Sequence, residues 1–288
     1  MSTENLKEKL SIGIKEYYDE RKRLNNILRI QKEKNKLAPI LLEAKNLINN
    51  KYDYNSADDL LIKIIELDQN NLAGFKYLAL IERGIIKRNK REFKESIRFF
   101  NSAIKLEPLN ITAFKNRCFA YGRNNQIKKM FTDAYKIIEL DPSSFEGYKW
   151  LGWAKMHMRD FAGAIDSYSK AILLEPLRAE LYQSRSYYNE QLNNFEDALE
   201  DLNSAVKLSN SEALLEKRAN LKIRINMTKS ALSDYNKILK LKPKSAYFHM
   251  KRAFLKLDLF DCDGALLDFE KYISFSGCKR EFIDTYSF

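Results

Sequence analysis

The chain has 288 residues, 45% hydrophobic and 31% charged, with a formal net charge of +11. That is enough apolar sequence to bury a sizeable core, and it excludes a disordered tail and a collagen-like fibre. Nine glycines and five prolines are too few for a turn-rich β protein, so an all-α fold is expected. The two histidines, His157 and His249, lie far apart, and Cys118, Cys262 and Cys278 show neither CxxC nor zinc-type spacing. Neither GxGxxG nor GxxxxGK occurs, so no phosphate-cradling loop is expected. These absences lead us to expect no catalytic site, no metal and no cofactor. The start lacks the apolar stretch of a secretion signal, and no run approaches the roughly 20 apolar residues of a membrane-spanning helix. A cytoplasmic location is therefore expected.

Residues 3–36 carry Leu6, Leu10, Ile14, Tyr17, Leu24, Ile27 and Leu28 at helical spacing. The pattern predicts one or two amphipathic helices in 1–37, packing as a cap on the chain beyond residue 37. A coiled-coil or partner-binding helix is the alternative. From residue 38 onward the chain is periodic. Pro108, Pro142, Pro176 and Pro243 close the similar phrases AIKLEP, IIELDP, AILLEP and ILKLKP at spacings of 34, 34 and 67. A fixed period in this range predicts stacked supersecondary units.

The clearest unit is 145–178, where Tyr148, Leu151, Gly152, Ala164, Tyr168, Ala171 and Pro176 fall at positions 4, 7, 8, 20, 24, 27 and 32. It resembles the tetratricopeptide repeat (TPR), with its W-x2-L-G-x2-Y, A-x3-F and P pattern. Sliding this frame gives seven units: 38–71, 72–110, 111–144, 145–178, 179–211, 212–245 and 246–279. Small residues recur at position 20 (Ala57, Ser96, Ala164, Ala198, Ala231, Ala265) and at position 8 (Ala79, Cys118, Gly152, Ser186, Ala219, Ala253). The third unit departs, with Met130 at position 20 and Ala134 at position 24. The resemblance implies a right-handed α-solenoid whose A helices line a concave surface. The 39-residue second unit is expected to place its extra residues near 84–92, in helix A or its turn. Residues 280–288 read as a short capping helix.

The resemblance implies a non-catalytic protein-interaction scaffold, or adaptor, and the positions of A helices that face the concave groove. Those positions give Lys76, Tyr77, Lys115, Asn116, Phe119, Lys149, Trp150, Trp153, His157, Gln183 and Tyr187. Exposed aromatics beside lysines and amides suit an extended peptide. The clamp with which some TPR co-chaperones hold the C-terminal carboxylates of large chaperones needs a Lys, Asn, Asn, Lys, Arg set. This sequence offers Leu42, Asn46, Tyr77, Thr112, Asn116 or Lys76, Leu80, Asn116, Glu146, Trp150, so no clamp is expected.

Residues 83–129 hold 13 basic and 3 acidic side chains. Lys87, Arg88, Lys90, Arg91, Arg123, Lys128 and Lys129 are expected to share one basic edge that takes an acidic protein, anionic lipid or RNA. A nucleic-acid-binding helical repeat is the alternative to the scaffold, and a homodimer through either end is a further option. Carboxylates such as Asp160, Asp166, Glu200 and Asp201 are expected on outer faces or in turns.

Overall fold

The structure, a computed structural model, describes residues 3–276, and side chains from residue 15 onward apart from Lys51. The segment 280–288, expected as a cap, lies outside them. Among the described residues there are fourteen α-helices, one π-helical turn (Leu47–Lys51) and no strand. The helices form two compact bodies, Met1–Pro142 and Ser143–Phe288.

The N-terminal body opens with α1 (Thr3–Asn46), which runs through Pro39 without ending. No break separates the expected cap from the first repeat at 37/38. Leu37, Leu41, Ala44 and Ile48 recur at three- and four-residue spacing and are buried, sealing this stretch against α2 (Tyr54–Leu67) and α3 (Phe75–Asn89). The residues before Leu37 do not fold back as a cap. Tyr17, Leu24, Ile27 and Leu28 are each more than half exposed. The physical reason is continuity, since an unbroken helix of 22 residues carries 15–36 about 33 Å along one axis, off the stack. The body is completed by the hairpins α3/α4 (Phe93–Leu106) and α5 (Ile111–Arg123)/α6 (Ile127–Leu140).

The C-terminal body contains four further hairpins. These are α7 (Phe145–His157)/α8 (Phe161–Leu174), α9 (Ala179–Gln191)/α10 (Phe195–Leu208), α11 (Glu212–Arg224)/α12 (Thr228–Leu241) and α13 (Ala246–Leu257)/α14 (Cys262–Ser276).

Every hairpin turns in one way. The residue two before each B helix is left-handed: Tyr52, Arg91, Asn125, Arg159, Asn193, Asn226 and Phe260 have φ between 52° and 62°. In six of the seven turns the next amide reaches back five residues, as Glu92 N does to Lys87 O (2.8 Å) and Met227 N to Lys222 O (2.7 Å). This closes a Schellman cap on helix A.

That fixed turn corrects the expectation for the second repeat. Its turn is ordinary, and the extra residues lie upstream, in the connection 68–74 and the first two residues of α3. A closed turn has no slack, whereas the link between repeats does. The Asp68 carboxylate makes the longer link a cap, accepting from the amides of Ala73, Phe75 and Lys76 at 2.8–3.1 Å. Consequently Gly84, not Ala79, sits at the helix crossing, where an added Cβ would lie 2.5 Å from the Phe100 ring. In the third repeat Met130 and Ala134 exchange sizes, and both are fully buried, so the volume at the crossing is kept.

A second device stitches the hairpins. Arg117, Arg185, Arg218 and Arg252 each pair with the aspartate sixteen residues later, Asp133, Asp201, Asp234 and Asp268. The same guanidiniums also donate to the preceding hairpin, to Asn101, Ser169, Asn203 and Asn236 at 2.7–3.0 Å. Asp201 is therefore buried, contrary to its expected place on an outer face. An aspartate so far from water persists because a bidentate partner meets it.

Candidate functional site

In the N-terminal body the ends of α3 and α5 surround a concavity of about 410 Å³ lined by Arg88, Asn89, Arg91, Phe93, Phe119 and Arg123. Arg88 stands in the last turn of α3 and Arg123 in the last turn of α5, where cations complement the helix dipole. Their guanidinium carbons lie 5.5 and 5.7 Å from the centre of the Phe119 ring. Phe93, at the start of α4, lies 6.4 Å from Phe119. Arg88 Nη1 donates to Asn116 Oδ1 (2.6 Å), and Nε and Nη2 donate to Asn89 Oδ1. Asn116 is itself held by donating to Thr112 O (2.9 Å). Burial pulls the Arg88 guanidinium below its usual range.

The corrected register of α3 removes two expected groove residues. Lys76 and Tyr77 belong to its first turn, with Lys76 Nζ on Gln69 O (2.6 Å) and the Tyr77 amide on Asn71 Oδ1. Arg88 takes their place beside Asn116 and Phe119. The basic edge also divides. Lys87 pairs with Glu92 and Glu95 at 2.6 and 2.9 Å, and hydrogen bonds to them raise its pKa. Lys90 turns to Asn55 and the Tyr54 ring, and Lys129 lies over Tyr121. Lys115 is half-buried on α5 and Lys128 is exposed.

In the C-terminal body α7 presents a row. Lys149 lies 4.9 Å over Trp150, Trp150 is 5.7 Å from Trp153, and Trp153 is 5.3 Å from His157. The adjoining core of Phe145, Ala164, Tyr168, Ile172 and Leu181 is built without either tryptophan. Both are half-buried and His157 is exposed. On α9, Gln183 is half-buried and Tyr187 exposed, its ring 5.3 Å from Tyr188. Glu190 and Glu216 are engaged by Arg224 and the Tyr247 hydroxyl at 2.9 and 2.8 Å. Sequence reasoning missed Asn89 and Phe93; the invariant turn spacing before each B helix was the signal that places them.

Among the described residues no cluster of His, Cys, Asp and Glu is arranged to hold a metal, and no helix is long and apolar enough to cross a membrane.

Antiparallel helix pairs of fixed length, closed by one turn type, define a helical-repeat protein of the α-solenoid class. The tetratricopeptide repeat family model matches residues 179–212. A TPR protein of known structure from Parabacteroides merdae superposes with a TM-score of 0.60 at 20% identity, over 86% of this chain and 96% of that one. YrrB, described as a TPR protein with an unusual peptide-binding site, gives 0.52 at 19% identity, over 65% and 96%. The matched segment and the two superpositions support a tetratricopeptide-repeat fold for this chain. The chain is 25% identical over 207 residues to human tetratricopeptide repeat protein 6, covering 65% of this chain and 40% of that protein. It is 34% identical over 112 residues to Hsp70-Hsp90 organizing protein 2 of Arabidopsis thaliana, covering 39% and 20%. The chain thus spans less than half the length of these relatives.

Proposed function

We propose that the chain is a non-catalytic scaffold that holds an extended segment of a partner protein on the A helices of its C-terminal body, and that the arginines of α3 and α5 give its N-terminal body a separate surface for acidic groups of a partner. The α7 row of Lys149, Trp150, Trp153 and His157 carries the reading. It offers rigid aromatic area outside the adjoining repeat core, as a peptide-binding surface requires. Relatives named as Hsp70-Hsp90 organizing proteins support a protein partner. In the corrected register the carboxylate-clamp positions read Leu42, Asn46, Glu82, Thr112, Asn116 or Ile81, Ile85, Asn116, Glu146, Trp150. Neither set supplies the cations, so the partner is recognised by other means than a chaperone C-terminus.

The test is affinity capture from native lysate with wild type and with the Trp150→Ala, Trp153→Ala pair, after circular dichroism shows that the pair folds. Proteins captured by wild type and lost with the pair support the reading. Equal capture by both baits refutes it.

A further inference from the structure

We propose that the concavity of Arg88, Arg91 and Arg123 over Phe93 and Phe119 receives one phosphorylated side chain of the partner polypeptide. This deepens the scaffold reading and rests on it.

The first argument is a contrast within the molecule. Where an arginine is packed between helices, the chain supplies a carboxylate: Asp58 to Arg83, Asp133 to Arg117, Asp201 to Arg185, Asp234 to Arg218 and Asp268 to Arg252. Arg88 is also half-buried, yet its partners are two neutral amide oxygens, Asn116 Oδ1 and Asn89 Oδ1. A guanidinium drawn out of water and given only neutral acceptors keeps its charge for something else. Three of its five donors are engaged, so it is oriented and still able to bind.

The second argument is charge. Among the described residues no carboxylate lies within ion-pair distance of Arg88, Arg91 or Arg123, although all three line one concavity. Two of the guanidiniums share one aromatic ring, and the carboxylate that acts on Arg88 from farther off, Glu82, is itself paired with Lys45. A phosphate monoester carries nearly two charges and three acceptor oxygens, enough for several guanidiniums at once. A carboxylate brings one charge and two oxygens.

The third argument is isolation. The neighbouring lysines do not extend the site into a track, because Lys87 is neutralised by Glu92 and Glu95 and Lys90 faces Asn55. A single compact anion site suits one phosphate on a peptide. A nucleic-acid backbone needs a row.

The probe is an array of degenerate peptides, each displayed with serine, phosphoserine or glutamate at its centre, incubated with the full chain. Wild type should favour phosphoserine over both others by about tenfold. Arg88→Met and Arg123→Met should abolish the preference while keeping the wild-type melting temperature, and the Trp150→Ala, Trp153→Ala pair should keep it. No preference in wild type, or a preference that survives both arginine variants, overturns the proposal. So does displacement of bound phosphopeptide by a single-stranded RNA 20-mer at lower concentration than by free phosphopeptide. Partner capture that depends on the tryptophans but shows no phosphoserine preference would leave the scaffold reading standing and this one refuted. A phosphoserine preference without tryptophan-dependent capture would refute the tryptophan row as a partner's seat and leave the arginine site as the partner-binding surface of the scaffold.

Discussion

A methyl group on Gly84 has nowhere to go. It would lie 2.5 Å from the Phe100 ring, and one on Gly152 would lie 2.7 Å from Tyr168. Gly84→Ala and Gly152→Ala should each destabilise the protein by about 1–3 kcal/mol, the usual cost of overpacking, in urea unfolding followed by circular dichroism. Gly163→Ala should cost about 1 kcal/mol by another route, because its new methyl displaces the Asp160 carboxylate that caps α8 through the Gly163 amide. The buried stitches make a second residue-scale prediction. Arg218→Ala leaves Asp234 buried with Lys222 as its remaining cation, and loss of one partner of such a pair costs about 3–5 kcal/mol. Replacing the whole buried set, Arg218→Met and Asp234→Leu with Lys222→Leu, should recover most of that loss. The arginines were visible as residues in the sequence. Their pairing was not, because a sixteen-residue separation becomes a contact only when the turn closes the hairpin.

Single elements differ in their response to acid. In the α13/α14 hairpin, burial opposes ionisation of Asp268, but hydrogen bonds from Arg252, Lys256 and His249 win and hold it below the usual carboxylate range. Its contribution is therefore complete above the unfolded value near pH 4 and is lost as pH falls further. Asp133 and Asp201 are shifted the other way, burial outweighing Arg117 and Arg185, so their contributions decline as pH rises through their folded values. Hydrogen exchange should show α13/α14 losing protection on going from pH 5 to pH 3, an effect abolished by Asp268→Asn. Helix α1 differs in another way. Its exposed stretch carries Lys15, Arg21, Lys22, Arg23 and Arg29 and lacks tertiary protection. Limited trypsin digestion should trim it up to about Lys36 and leave the hairpins intact; early cuts inside α5 or α9 would contradict this.

The molecule as a whole consists of two bodies, and both tryptophans belong to the second. Repeat arrays are held by nearest-neighbour contacts, so the bodies should not unfold as one. Tryptophan fluorescence should report a denaturant midpoint for Ser143–Phe288 that differs from that of far-UV circular dichroism, which sees every helix. Coincident curves would show the whole chain to be one cooperative unit. By itself the sequence determined the helical class, the repeat period, the family resemblance, and the aromatic and basic residue types. These are local or periodic properties, written in spacing and composition. Only the tertiary structure decided that α1 continues into the first repeat, that the extra residues of the second repeat enter ahead of its hairpin turn, and hence that Arg88 rather than Lys76 stands beside Asn116. Those facts depend on where a turn can absorb chain and on which side chains meet across helices, and no local pattern encodes them.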